Sequence, residues 1–199
     1  MRPGSWVVYE DSGFHHEHLS AVALAGMAAA SDVVGMNEDE FIGHLAAPVD
    51  LADPLSVGLG LAELAGRWGI TNLVIHTARW AAVLGPQAEQ LRPALVEGVL
   101  AGAARFFHGD AMTQQDITEL RSAPVNPTGA LVAAGLERAG FTAVPALDLS
   151  PREPVTVGLG DSFVGGFLAG LYRSGVPADS ARRDAALVGD FPGEKGGCL

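Results

Sequence analysis

Residues 156–170 read Thr-Val-Gly-Leu-Gly-Asp-Ser-Phe-Val-Gly-Gly-Phe-Leu-Ala-Gly. An apolar run, Val155-Thr156-Val157, enters two closely spaced glycines, and residues 161–173 then follow a helical period. Glycines immediately before an amphipathic helix let backbone N–H groups converge. With the helix N-terminus they form an anion site. The pattern is not the dinucleotide fingerprint, because the third glycine position falls on Phe163, and no Gly-Lys-Ser/Thr follows to make a P-loop. Asp161 sits in the first helical turn. A carboxylate there repels a phosphate, but it can accept the proton of a hydroxyl that attacks one. The other reading is a helix cap with Asp favoured by the dipole, which by pattern alone is the commoner explanation.

Working outward, short apolar runs alternate with helical patterns. Residues 6–9 and 32–36 read as strands, as does Asn72–Ile75, which ends at His76-Thr77. Residues 141–149 read as one strand or two short ones. Helical patterns cover 17–30, 55–67 with Gly69 as a stop, 87–107, and 128–139 with Gly140 as a stop. Residues 109–127 read as a partly helical excursion. This order predicts an α/β layered fold with a mostly parallel sheet flanked by helices. Ligands of such sheets bind at the carboxyl ends of strands, which singles out Glu10, Asn37 to Glu40, His76-Thr77 and Gly158 to Asp161.

Composition narrows the chemistry. The 199 residues carry 12 basic and 23 acidic side chains, a net charge of −11, which argues against a nucleic-acid surface. Lys195 is the only lysine, so a P-loop lysine, a Schiff base or a kinase-type strand lysine is excluded. The single cysteine, Cys198, rules out an internal disulfide. The longest nearly apolar run, Leu19 to Ala30, is too short to cross a bilayer, and the first residues lack the pattern of a secretory leader. A cytoplasmic protein is expected, with no membrane partner.

Asn37 and Glu40 fall three apart, on one face of a helix. Their oxygens are hard donors suited to Mg²⁺, directly or through water. A capping box, each side chain satisfying the other's backbone, is by pattern alone the commoner explanation of the pair. Glu10 closes the first strand and is either a further contributor to the same Mg²⁺ shell or a solvated strand end. His15, His16 and His18 crowd one loop, but zinc needs a fourth ligand and wider spacing, so a solvated loop is expected. Val57-Gly58-Leu59-Gly60 echoes residues 157–160 without the Asp and reads as coincidence. Gly166 and Gly170 read as permitting close helix–sheet packing. No Gly-x-Ser-x-Gly elbow occurs.

Three passages together resemble the C-terminal half of the ADP-dependent phosphofructokinase/glucokinase family, which has a ribokinase-like fold. Residues 31–40 (Ser-Asp-Val-Val-Gly-Met-Asn-Glu-Asp-Glu) resemble its N-x-x-E segment. Residues 156–162 resemble its G-x-G-D segment, and Leu73-Val74-Ile75-His76-Thr77 resembles its strand ending in V-H-T. The resemblance spans residues 6–173. It implies a partial ribokinase-like domain over residues 1–175, with the lid and N-terminal part absent, followed by a helix or loose tail over 176–199. It implies transfer of the β-phosphoryl group of ADP to a sugar or sugar phosphate such as glucose or fructose 6-phosphate, giving AMP. In that scheme Asp161 is the general base. Gly158, Leu159, Gly160, His76 and Thr77 bind the nucleotide, and Glu10, Asn37 and Glu40 organise Mg²⁺. A separate N-terminal half-chain is an implied partner. Val8 stands where the family's H-x-E motif has histidine, and Arg79 falls one residue later than the family's arginine. The alternatives are an ATP-dependent ribokinase-type kinase and a non-catalytic nucleotide-binding remnant.

Overall fold

The computed structural model describes residues 4–13, 17–149 and 158–178. Its five strands lie side by side in chain order: β1 (Val8–Glu10), β2 (Val33–Asn37), β3 (Leu73–His76), β4 (Trp80–Leu84) and β5 (Thr142–Pro145). β1, β2 and β3 pair in parallel, and β4 runs antiparallel to both β3 and β5. Four of the five strands therefore share one direction, as the alternation of elements requires.

Successive strand residues face opposite layers. Val34, Met36, Leu73, Ile75 and Ala82 pack beneath α1 (Glu17–Ala30), α2 (Glu38–His44), α3 (Pro54–Trp68) and α6 (Pro127–Arg138). Their neighbours Val33, Val74, Ala81, Val83 and Val144 meet α4 (Ala88–His108) and α7 (Leu159–Ser174) on the other face. The excursion between α4 and α6 holds α5 (Gln114–Glu119) between two short 3₁₀ turns. One bridge, Val125 to Leu147, extends the β5 region, so residues 141–149 hold a strand and a bridge.

The reversed strand β4 has no counterpart in the sequence reading. Its apolar run, Trp-Ala-Ala-Val-Leu, is too rich in alanine to signal a strand, and the turn before it has no Gly, Asn or Pro. Thr77 makes that turn. Its hydroxyl accepts from the N–H groups of Arg79 (3.1 Å) and Trp80 (3.0 Å) and donates to the Trp80 carbonyl (2.9 Å). Trp80 then anchors the strand in the core, its indole N–H donating to the Leu51 carbonyl.

The glycines of the last helix serve a helix contact, not the helix–sheet contact expected. A Cβ on Gly166 would stand 2.4 Å from the Glu97 carbonyl oxygen, and one on Gly170 would stand 2.6 Å from the Ala94 Cα. α7 is thus pressed backbone to backbone on α4, and no larger residue fits this seam. Val57 to Gly60 lie inside α3, as a coincidental echo should. The expected loose tail begins differently: Val176 accepts a hydrogen bond from the Trp6 indole (2.7 Å), and Ala178 is buried and donates to Gly4. The remainder of that tail, His15 and His16, and Thr156 and Val157 of the glycine motif lie outside the described residues.

Candidate active site

Three parallel strands end together at Glu10, Asn37 and His76, and the N-terminus of α7 faces them. Glu10 ends β1 opposite Gly35 of β2. Its carboxylate crosses the place where a side chain at position 35 would stand: a Cβ there would lie 2.0 Å from Glu10 Oε2. Glycine on the middle strand is what lets Glu10 reach β3, where Oε1 lies 2.7 Å from His76 Nε2. Position 8 is valine, and the histidine that meets Glu10 comes from β3, two strands away. The His76 ring also stacks on Phe163 of α7, with centroids 4.3 Å apart. It lies 3.7 Å from where a Cβ on Gly160 would be, so the Glu10–His76 pair abuts the first turn of α7.

At α2 the capping box is formed. Asn37 Oδ1 accepts from the N–H groups of Asp39 (2.8 Å) and Glu40 (3.0 Å), and Glu40 Oε2 accepts from Asn37 N–H (2.9 Å). Burial pushes the Glu40 carboxyl above the usual range. The charges of Asp11 and Glu10 add to this, against the pull of the Asn37 hydrogen bond.

At α7 the arrangement is the reverse. The N-cap is Gly158, in the left-handed region with φ 80°, and no side chain caps the turn. The Ser162 N–H makes the bond back to Gly158, so the N–H groups of Leu159, Gly160 and Asp161 stand ahead of the first intrahelical bond. Asp161 is exposed and has no hydrogen bond or ion pair among the described residues. It is therefore not acting as a cap.

A cavity of about 430 Å³ brings Asn37, His76, Thr77, Leu159 and Gly160 together. Phe106, Leu147 and Leu149 also line it, so apolar side chains share the cavity with the first turn of α7. Glu10, Glu40, Gly158 and Asp161 flank it without lining it. Thr77 is there, but its hydroxyl is saturated by the hairpin, with one donation and two acceptances.

Among the described residues, no three His, Cys, Asp or Glu side chains are grouped closely enough to hold a metal ion by themselves. The donor chemistry still suits Mg²⁺ held through water. Both carboxylates keep one oxygen without a hydrogen bond among the described residues, Oε2 of Glu10 and Oε1 of Glu40. Burial is the main cause of the rise at Glu40, and the smaller contribution from the charges of Asp11 and Glu10 is one a cation would relieve.

Sequence reasoning missed the buried group behind Glu10. Asp11 accepts from the Tyr9 hydroxyl (2.8 Å), and its Oδ2 lies 2.7 Å from His44 Nε2 at the end of α2. Burial raises the Asp11 carboxyl, but these hydrogen bonds and the His44 charge outweigh it and hold it below its ordinary value. Burial and the Asp11 bond push the Tyr9 hydroxyl up. Ser20 Oγ approaches the same His44 nitrogen at 3.4 Å, so the three do not form a nucleophilic triad, which needs both ring nitrogens. Nothing in the periodicity links residues 11 and 44. They meet because Asp11 directly follows β1 and the packing of α2 brings its last residue, His44, against it.

No protein-family model matches the sequence. Over 116 residues the chain is 28% identical to the ADP-dependent glucose/glucosamine kinase of Pyrococcus furiosus, a match covering 57% of this chain and 24% of that one. The structure is similar to a phosphofructokinase from Pyrococcus horikoshii OT3 solved with AMP. The TM-score is 0.68 at 21% identity, over 84% of this chain and 42% of the other. It is also similar to an ADP-dependent kinase solved with fructose 6-phosphate and ADPβS, with a TM-score of 0.66 at 16% identity, over 83% of this chain and 44% of the other. The chain thus spans less than half the length of each of these proteins. The fold is that of the ADP-dependent kinases.

Proposed function

We propose that this chain is the nucleotide-binding and catalytic-base side of an ADP-dependent sugar kinase. The observation that carries the reading is the uncapped glycine start of α7. Leu159 and Gly160 of that turn line a cavity at the strand ends, and Asp161, which has no partner among the described residues, lies one residue beyond. The sequence similarity to an ADP-dependent glucose/glucosamine kinase supports the choice of ADP.

The apolar part of the cavity lining suits a base ring, and the N–H groups of Leu159 and Gly160 suit the transferred phosphoryl group. In the reaction an acceptor hydroxyl of a sugar or sugar phosphate attacks the β-phosphorus of ADP. The new O–P bond forms as the bond to the bridging oxygen breaks, AMP leaves, and the hydroxyl proton passes to the Asp161 carboxylate. Glu10, Glu40 and Asn37 would hold Mg²⁺ through its water shell; the ion would supply charge neutralisation on the phosphates. His76 holds Glu10 in place. The acceptor site, and with it the choice between glucose and fructose 6-phosphate, belongs to the length of the relatives that this chain does not span. A polypeptide supplying that length is the proposed partner. Among the described residues no helix is long and apolar enough to cross a membrane; a cytoplasmic location is part of the proposal.

Calorimetric titration with ADP, ATP and AMP in the presence of Mg²⁺ tests the reading. Binding is expected in the order ADP over AMP, with ATP weaker than ADP. A preference for ATP would overturn it in favour of an ATP-dependent sugar kinase of the same fold. Tight ADP binding without turnover, even with the rest of the relatives' length supplied, would leave a non-catalytic nucleotide-binding domain.

A further inference from the structure

α4 is locked against α7 through the Gly166 and Gly170 contacts, so the last turn of α4 has a fixed position beside the start of α7. That last turn carries Arg105, whose side chain is only 18% exposed. The chain reverses at Gly109, in the left-handed region with φ 59°, and brings back Asp110, which pairs with Nη1 of Arg105. The opposite edge of the guanidinium is turned toward the glycine start of α7. A Cβ on Gly158 would stand 3.6 Å from Nε and 3.6 Å from Nη2. Neither Nε nor Nη2 has a hydrogen-bond partner among the described residues.

We infer that Arg105 is a phosphate-binding residue, presenting its Nε–Nη2 edge to the terminal phosphate of a nucleoside diphosphate seated on the Gly158 turn, with Asp110 as its positioning residue. The inference rests on the nucleotide reading above and adds to it a cation that neither motif contains. The Nε–Nη2 edge is the fork that matches two oxygens of one phosphate. A half-buried guanidinium whose edge finds no match among the described residues is a poor arrangement unless a further group, such as an anion, completes it. Asp110 is 94% exposed, so its pairing with Nη1 leaves the arginine's charge largely available and serves mainly to fix its orientation. The glycine turn and the arginine complement each other: one supplies backbone N–H groups, the other a planar charged fork close beside them. In a chain of net charge −11, with Glu38 and Asp39 lining the cavity that Leu159 and Gly160 also line, that positive group offsets the repulsion an incoming diphosphate meets.

The test is titration of the full chain with ADP and with adenosine, comparing wild type with Arg105→Gln, Arg105→Lys and Asp110→Asn. Arg105→Gln is expected to weaken ADP by about 10- to 100-fold, as for lost charged hydrogen bonds, and to leave adenosine unchanged. Arg105→Lys should restore part of the ADP affinity, because an ammonium supplies charge without the fork. Asp110→Asn should give a smaller loss, again for ADP alone. Equal ADP affinity in Arg105→Gln and wild type would overturn the inference and leave the nucleotide reading intact. So would a parallel loss of ADP and adenosine, which would mark Arg105 as a structural residue. If the glutamine variant fails to fold, the lysine variant decides, with full ADP affinity counting against the fork. A wild type that binds ADP no better than adenosine would overturn the nucleotide reading, and this inference with it.

Discussion

Two helices begin at the rim of the same cavity, and their first turns are built in opposite ways. α2 closes itself: Asn37 and Glu40 take up each other's backbone N–H groups, and His44 at its other end grips the buried Asp11. α7 is left open: glycine at the N-cap, no side-chain cap, and its one first-turn carboxylate pointing to solvent. A helix with both ends satisfied by its own neighbours is a frame, whereas one with free N–H groups is a receptor for an anion. The lesson concerns Asp residues and Asn/Glu pairs alike. A capping pattern and a site pattern look identical in sequence and are told apart by which N–H groups the side chains reach.

The largest effect that would break this contrast is at the open end. Asp161→Asn should lower turnover by about 10²- to 10⁴-fold while ADP affinity stays within about a factor of two. The measurement is AMP formation with glucose or fructose 6-phosphate as acceptor, supplemented with a polypeptide covering the rest of the relatives' length where the chain alone is silent. Undiminished turnover would remove Asp161 as the base and leave α7 an anion site only.

At the closed end, Asn37→Ala should lower stability by about 1 kcal/mol through the lost cap, read as a shift of the urea midpoint at constant slope. The same substitution should weaken the Mg²⁺ dependence of ADP binding. An unchanged midpoint would mean that α2 is held by Phe41 and the His44–Asp11 pair without its cap.

The smallest effect sharpens the contrast by charge. Glu40 has its folded-state pKa raised by burial and by Asp11 and Glu10. Its ionised form is therefore disfavoured by folding, and stability is gained as pH falls through that pKa. Glu40→Gln keeps an acceptor for the Asn37 N–H and removes the charge. It should raise stability at pH 7 by under about 1 kcal/mol, since a partly exposed carboxylate is screened. The gain should shrink toward acid pH, where the wild-type side chain is already protonated. A gain independent of pH would show that packing, not charge, separates the two proteins.

Most of the fold was legible because its cues are local. The helices around Gly69, Gly140 and Gly158 end or begin on glycines in the left-handed region, and the Asn37–Glu40 box is an interaction across three residues. The strands β1, β2 and β3 are legible as apolar runs within the alternation of elements. β4 is not, because Trp-Ala-Ala-Val-Leu carries no period-two signal and its turn is made by a threonine hydroxyl. Of the site, the residues named in advance do come to one edge, but Thr77 arrives with its hydroxyl engaged and His76 with its Nε2 against Glu10.

What the sequence determined by itself is therefore the set of first turns, the layer class, and the exclusion of lysine chemistry. These depend on residues within a few positions of one another and on composition. The tertiary structure alone decided that Glu10 reaches His76 across Gly35, that Asp11 meets His44, and that Arg105 turns its free edge to Gly158. Those contacts join residues tens of positions apart, and their geometry is set by strand order and by how closely two helices approach. The physical reason is the range of the forces involved: capping is satisfied within one turn, while a buried carboxylate or guanidinium must find its partner wherever the fold delivers one.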